Sequence, residues 1–103
     1  MKLTKIIKVM KITEIQIEFI KPNNGLIGFA SLVIDGNIYL SSIAIHKKLN
    51  SANYRLTYPS KGKFNLFYPI NKESSKKIEL AILAKLKDVM NKNDRYNSFN
   101  FVK

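Results

Sequence analysis

Basic residues gather where this chain changes direction. Lys61 and Lys63 stand in the loop Ser60-Lys61-Gly62-Lys63, and Lys72, Lys76 and Lys77 follow after Phe64-Asn65-Leu66-Phe67-Tyr68-Pro69-Ile70-Asn71. Arg55 lies upstream and Lys87 downstream as secondary members of the set. Ammonium groups at this density suit a polyanion, because each can sit against a phosphate and release a condensed counterion. The alternative is that they are solvated side chains that keep the chain soluble. Arg55 and Arg95 are the only arginines, so attraction to a backbone is the expected chemistry rather than bidentate reading of guanine, for which lysine is a point charge.

Other chemistry finds little support in the residues. His46 is the sole histidine, and Asp35 at a hairpin tip and the glutamates on a strand face or helix do not converge on it, so it reads as a loop histidine rather than a catalytic or metal-binding one. Cysteine is absent, which excludes disulfides, thiolate nucleophiles and cysteine-bound zinc. Ser60-Lys61-Gly62-Lys63 lacks the long glycine-spaced cradle, and the Ser or Thr after lysine, of a nucleotide-binding loop. No enzyme activity, cofactor, metal or small-molecule substrate is expected. Tyr54, Tyr58, Phe64, Phe67 and Tyr68 belong either to the core or to a surface on which bases stack.

The 103 residues suffice for one domain with a modest core, and 46% hydrophobic against 24% charged residues is a globular balance. Eighteen Lys and Arg oppose seven Asp and Glu, a formal net charge of +11. That field draws nucleic acid or an anionic membrane surface, although the crowding of Lys, Ile and Asn also reflects what an AT-rich genome writes. The basic start Met1 to Val9 is interrupted by Lys8 and Lys11 before a signal-peptide core forms, and no run reaches the ~20 apolar residues of a membrane helix. A cytoplasmic protein without a membrane partner is the expectation.

The elements that must position the cations follow from periodicity. Thr13 to Phe19 alternates Ile15, Ile17 and Phe19 with Glu14, Gln16 and Glu18, a strand with one wet face, and Pro22-Asn23-Asn24-Gly25 ends it. Leu26 to Ile34 is apolar almost throughout, as for a strand covered on both sides or at a subunit contact. Asp35-Gly36 suits a type I′ hairpin turn into a strand over Asn37 to Ile45, where Ser41-Ser42 breaks the alternation and predicts a bulge or bend. His46 to Asn53 is a polar connection carrying Lys47 and Lys48. Tyr54–Tyr58 and Phe64–Tyr68 read as strands stopped by Pro59 and Pro69. Asn71 is placed to cap a helix over Lys72 to Met90, with Ile78, Ala81, Ile82, Leu86 and Val89 on its inner stripe and Leu80 and Leu83 off it, either singly exposed or at an oligomer contact. Asn91-Lys92-Asn93-Asp94 is expected to unwind the helix, and the tail from Arg95 to add an edge strand, pack on a neighbour or hang free.

Met10-Lys11-Ile12-Thr13-Glu14-Ile15, Ala30-Ser31, Asp35-Gly36, Pro59-Ser60-Lys61, Pro69-Ile70-Asn71 and Lys77-Ile78, in that order, resemble the stage V sporulation protein G (SpoVG) family of bacterial septation regulators. The resemblance spans about Met10 to Met90. It makes residues 1–9 an N-terminal extension, 10–92 the domain and 93–103 a tail. It implies an α+β domain, a small antiparallel sheet of about five strands packed with one C-terminal helix, that forms a homodimer, binds DNA and in some members RNA, and influences septum formation, sporulation and gene expression. Two positions depart from the family: Gly62 stands where an arginine commonly follows Pro-Ser-Lys, and Ser75 where an arginine often precedes the helix lysine matched by Lys77. The competing expectation is a protein-interaction module that engages an acidic partner of the division apparatus.

Overall fold

The hairpin Leu26 to Lys47 forms the centre of the molecule. In a computed structural model that describes residues 10–51 and 53–101, it joins β2 (Leu26–Ile34) to β3 (Ile38–Lys47), with β1 (Ile12–Asn23) on one side and β4 (Tyr54–Thr57) on the other. All three pairings are antiparallel, in the order β1-β2-β3-β4. A separate two-stranded ribbon, β5 (Ser60–Lys61) and β6 (Phe64–Asn65), leads to the one helix among the described residues, α1 (Lys72–Phe101). The α+β class and the antiparallel sheet with a C-terminal helix are as expected, with four strands and a small ribbon in place of five.

Alternation selects the inner face. Ala30 and Leu32 on β2 and Ile43 and Ile45 on β3 are buried against Ile78, Ile82 and Leu86 of α1, and Ile15 and Ile17 of β1 pack at the border. Of the inner stripe expected of the helix, Ile78, Ile82 and Leu86 dock, whereas Ala81 and Val89 are not in the core cluster; of the two leucines set off it, Leu83 packs on the core while Leu80 stays exposed. On β2 the other face, Phe29, Ser31 and Val33, is only half-buried, so the near-continuous apolar run is enclosed on one side. Gly28 allows β1 to close in: a Cβ there would meet the Glu18 carbonyl oxygen at 2.5 Å.

The turn residues act as their chemistry requires. Asn24 and Gly25 (φ 53° and 92°) and Asp35 and Gly36 (φ 54° and 67°) occupy the left-handed region. Asn37 donates its N–H to the Ile34 carbonyl at 2.9 Å, closing the second turn. The Asp35 carboxylate accepts the Lys11 N–H at 2.8 Å while its own N–H reaches the Lys11 carbonyl at 2.7 Å, which ties β1 to the hairpin tip. Between Ala30↔Ile43 and Leu32↔Leu40 the β3 strand has one residue more than β2, with Ser42 at φ 67°, the bulge expected at the serine pair. A second bulge at Glu14 (φ 52°) carries no comparable sequence signal.

Four expectations are corrected. β1 runs through Pro22 to Asn23, which its place at the sheet edge permits because no neighbour needs the missing N–H. His46 and Lys47 belong to β3 rather than to the connection. Phe64–Tyr68 is no strand of the main sheet: Phe64 and Asn65 pair only with Lys61 and Ser60. The helix does not unwind at Asn91 but continues to Phe101, since Asn and Asp cost a helix little and neither Gly nor Pro intervenes. Residues 1–9 and the last two of the tail lie outside the described residues.

Candidate nucleic-acid interface

The basic end is built by a turn and a cap. Pro59 leads out of β4, and the Leu66 N–H donates to the Pro59 carbonyl at 2.9 Å, closing the base of a ribbon that projects Lys61 and, beside Gly62 at φ 60°, Lys63. Lys61 and Lys63 are both exposed. The chain returns through Pro69 to Asn71, whose Oδ1 accepts the Ser74 N–H at 2.7 Å, while the Ser75 N–H bonds the Asn71 carbonyl at 3.1 Å. This is the expected N-cap, and it fixes where Lys72, Lys76 and Lys77 leave the helix.

Helical geometry divides those three. Lys72 and Lys76 are about one turn apart and Lys87 lies about three turns further, so they follow one stripe. Lys77 leaves about 100° around the axis from Lys76, and it is half-buried where Lys72, Lys76 and Lys87 are exposed. A shallow concavity at the helix start still touches all of Lys72, Lys76 and Lys77, together with Leu80. Further along, Lys87 borders a groove with Lys48, Tyr54, Leu83 and Met90.

Arg55 stands apart from the exposed lysines, although it borders a small concavity with Lys48 and with Ser75 and Glu79 of the helix. Tyr54 turns toward the helix, where its hydroxyl donates to Met90 Sδ at 3.6 Å, and Leu56 packs on the core, so the intervening Arg55 turns to the opposite face of the sheet. There it faces His46, its ladder partner. His46 Nε2 bonds Thr57 Oγ1 at 2.9 Å, and burial, with the Arg55 charge as the lesser cause, lowers its pKa below the ordinary 6.5. The expectation of a loop histidine gives way to one held on a strand.

The aromatics also separate. Tyr54, Tyr58 and Phe67 pack against the core, with the Tyr58 and Phe67 rings edge-on at 6.1 Å and 72°. Burial, and secondarily Glu79, raise the Tyr58 hydroxyl above its usual 10.0. Phe64 and Tyr68 are exposed on the ribbon side. Sequence reasoning missed Lys48 as a site residue; the Lys47-Lys48 pair is the signal, but only the fold brings Lys48 next to Lys87.

Electrostatically the end is basic, with two glutamates near the helix lysines but no direct ion pair to them among the described residues. Among the described residues the only ion pair is Lys92 with Asp88, at 3.4 Å across one helical turn. Lys61, Lys63, Lys72, Lys76, Lys77 and Lys87 therefore hold no carboxylate, although Glu73 and Glu79 stand close by on the helix. No helix among the described residues is long and apolar enough to cross a membrane. No protein-family model, no characterised protein and no solved structure matches this chain.

Proposed function

We propose that this chain is a non-enzymatic nucleic-acid-binding protein that grips the phosphate backbone with the ribbon and the first turns of its helix, in the manner the SpoVG resemblance implies. Duplex DNA is the first ligand and RNA the second. The observation that carries the reading is that, among the described residues, Lys61, Lys63, Lys72, Lys76 and Lys87 are exposed and make no ion pair with a carboxylate, in a chain of net charge +11. Ammonium groups not engaged by a carboxylate are available to neutralise phosphates, and the condensed cations this releases from the nucleic acid drive association. Lys77, turned aside and half-buried, is a weaker contact, and Arg55, whose ladder position is on the other face of the sheet, is the weakest of the set. A homodimer would present two such ends, and reading successive major grooves asks for a separation of about 34 Å. The setting is a cytoplasmic regulator of septation, sporulation or gene expression.

The test is fluorescence anisotropy of labelled duplex DNA, and of RNA of the same sequence, titrated with the full chain at several salt concentrations. About five neutralised phosphates give a slope of log K against log[salt] of roughly −4 to −5 on duplex DNA. The K61A/K63A/K76A/K77A variant is expected to lose most of that slope. An unchanged slope would mean that the surface is misplaced, and no binding even at low salt would leave the acidic protein partner as the reading.

A further inference from the structure

The segment that links the ribbon to the helix carries a row of apolar side chains directed into solvent. Phe64, Leu66, Tyr68 and Ile70 are 76%, 61%, 57% and 85% exposed. Between them Phe67 and Pro69 are half-buried, and Phe67 packs on the core. Phe67 and Pro69 therefore hold the chain, while Tyr68 and Ile70, and with the exposed Asn65 also Phe64 and Leu66, face outward. Leu80, another exposed large apolar residue, lies on the helix at the concavity that Lys72, Lys76 and Lys77 line. The row is bracketed in sequence by Lys61 and Lys63 on one side and Lys72 on the other, none of them paired with a carboxylate among the described residues.

Four exposed large apolar side chains crowded into seven residues of a small domain mark a contact, and the chemistry around this segment selects the occupant. A nucleic acid accounts for the lysines and could stack on Phe64 or Tyr68, but one gripped through its phosphate backbone, as proposed above, leaves Leu66 and Ile70 without apolar cover. A second copy of the chain would cover the aliphatics, yet it would set the same lysines against each other. An anionic bilayer surface satisfies both sets: the aliphatic and aromatic residues enter the boundary between headgroups and acyl chains while the flanking ammonium groups remain among the lipid phosphates and carboxylates. We infer that the segment from Phe64 to Ile70, flanked by Lys61, Lys63 and Lys72, is a peripheral docking surface for anionic lipid membranes. This contact lies on the surface and needs no spanning segment. It shares lysines with the proposed nucleic-acid interface, so one chain engages one polyanion at a time.

The experiment uses the full chain and vesicles of phosphatidylcholine, with or without phosphatidylserine. Because the chain has no tryptophan, Ile70→Trp supplies a single reporter, with Leu49→Trp, 88% exposed on the turn after β3, as the control. Phosphatidylserine vesicles are expected to shift the Trp emission of Ile70→Trp to the blue and leave that of Leu49→Trp unchanged; pure phosphatidylcholine is expected to shift neither. In co-sedimentation, L66S/I70S is expected to lose vesicle affinity by about thirtyfold, and each of K61A and K63A about fivefold. The DNA affinity of L66S/I70S and its salt slope should remain those of the wild type, which separates this surface from the nucleic-acid reading, and excess duplex DNA should release the wild type from vesicles. The inference is overturned by an absence of vesicle binding at low salt. It is equally overturned if L66S/I70S binds vesicles as the wild type does, since charge alone then explains adsorption. A wild-type dimer that L66S/I70S converts to a monomer, with vesicles bound by neither, would identify the occupant as a second copy.

Discussion

Arg55 stands opposite His46 across the β3–β4 ladder, on the face of the sheet away from the helix. Proximity in sequence to the basic loop suggests a common surface, but one strand residue separates two faces. Arg55→Ala is therefore expected to change DNA affinity and salt slope by less than any of Lys61, Lys63 or Lys76 replaced by Ala. In the same variant the His46 pKa should rise toward its ordinary 6.5, since one of its two depressing causes is removed. Anisotropy titration and NMR titration of the imidazole check the two halves separately.

The same depressed histidine gives a pH dependence with a definite sign. Its folded pKa lies below the unfolded 6.5, so the unfolded chain binds the proton more readily. The neutral imidazole's contribution to stability is complete above about 6.5 and is lost as pH falls from there through the folded pKa. Urea unfolding of wild type and His46→Gln should show a stability difference that shrinks as pH is lowered through this window. A difference that does not vary with pH would mean that His46 is not held neutral.

Asn71 supplies the cap that orients the basic helix start, with its side chain on the Ser74 N–H at 2.7 Å. Asn71→Ala should destabilise the fold by about 1 kcal/mol, read as a lowered urea midpoint at unchanged m-value. Asn71→Asp should keep the cap and, by adding a negative charge near Lys72, weaken DNA binding at low salt.

These relationships show which parts of the structure were legible in the residues. Asn24-Gly25 and Asp35-Gly36 announce their turns because those residues accept the left-handed backbone, and Ser41-Ser42 marks its bulge by breaking the alternation. Asn71 and the Ile78, Ile82, Leu86 stripe define the docked helix. Phe64-Leu66-Tyr68 was misleading because a strand and an outward-facing apolar row share the same period of two; only tertiary contact decides which face is covered. Asn91 to Asp94 reads as a helix end by propensity, and weak propensities yield to continuation when no Gly or Pro enforces a stop. The charges were legible as a set but not their directions, since Arg55 and Lys77 depend on strand parity and helix phase.

Packing at the centre sets the tolerance of the fold. Ile82 is fully buried at 0% exposure among Leu32, Ile43 and Ile45. Ile82→Ala should cost about 2–5 kcal/mol, a large share of the stability of a domain this small, and calorimetry should record a lower Tm. Gly28→Ala tests the opposite limit: its Cβ would meet the Glu18 carbonyl oxygen at 2.5 Å. Backbone cannot yield there without parting β1 from β2, so a loss of about 1–3 kcal/mol is expected.

Adjacent lysines at the helix start offer the sharpest test of direction. Lys76 shares its stripe with Lys72 and Lys87 and is exposed, whereas Lys77 diverges by about 100° and is half-buried. If the polyanion lies along the stripe and the ribbon, Lys76→Ala should reduce the salt slope on duplex DNA by about one. Lys77→Ala should leave it nearly unchanged. Total charge is identical in the two variants, so a difference between them reports geometry rather than the overall field. Equal losses would mean that the chain attracts DNA through its net charge without a defined contact surface, and a larger loss for Lys77→Ala would move the interface to the other flank of the helix.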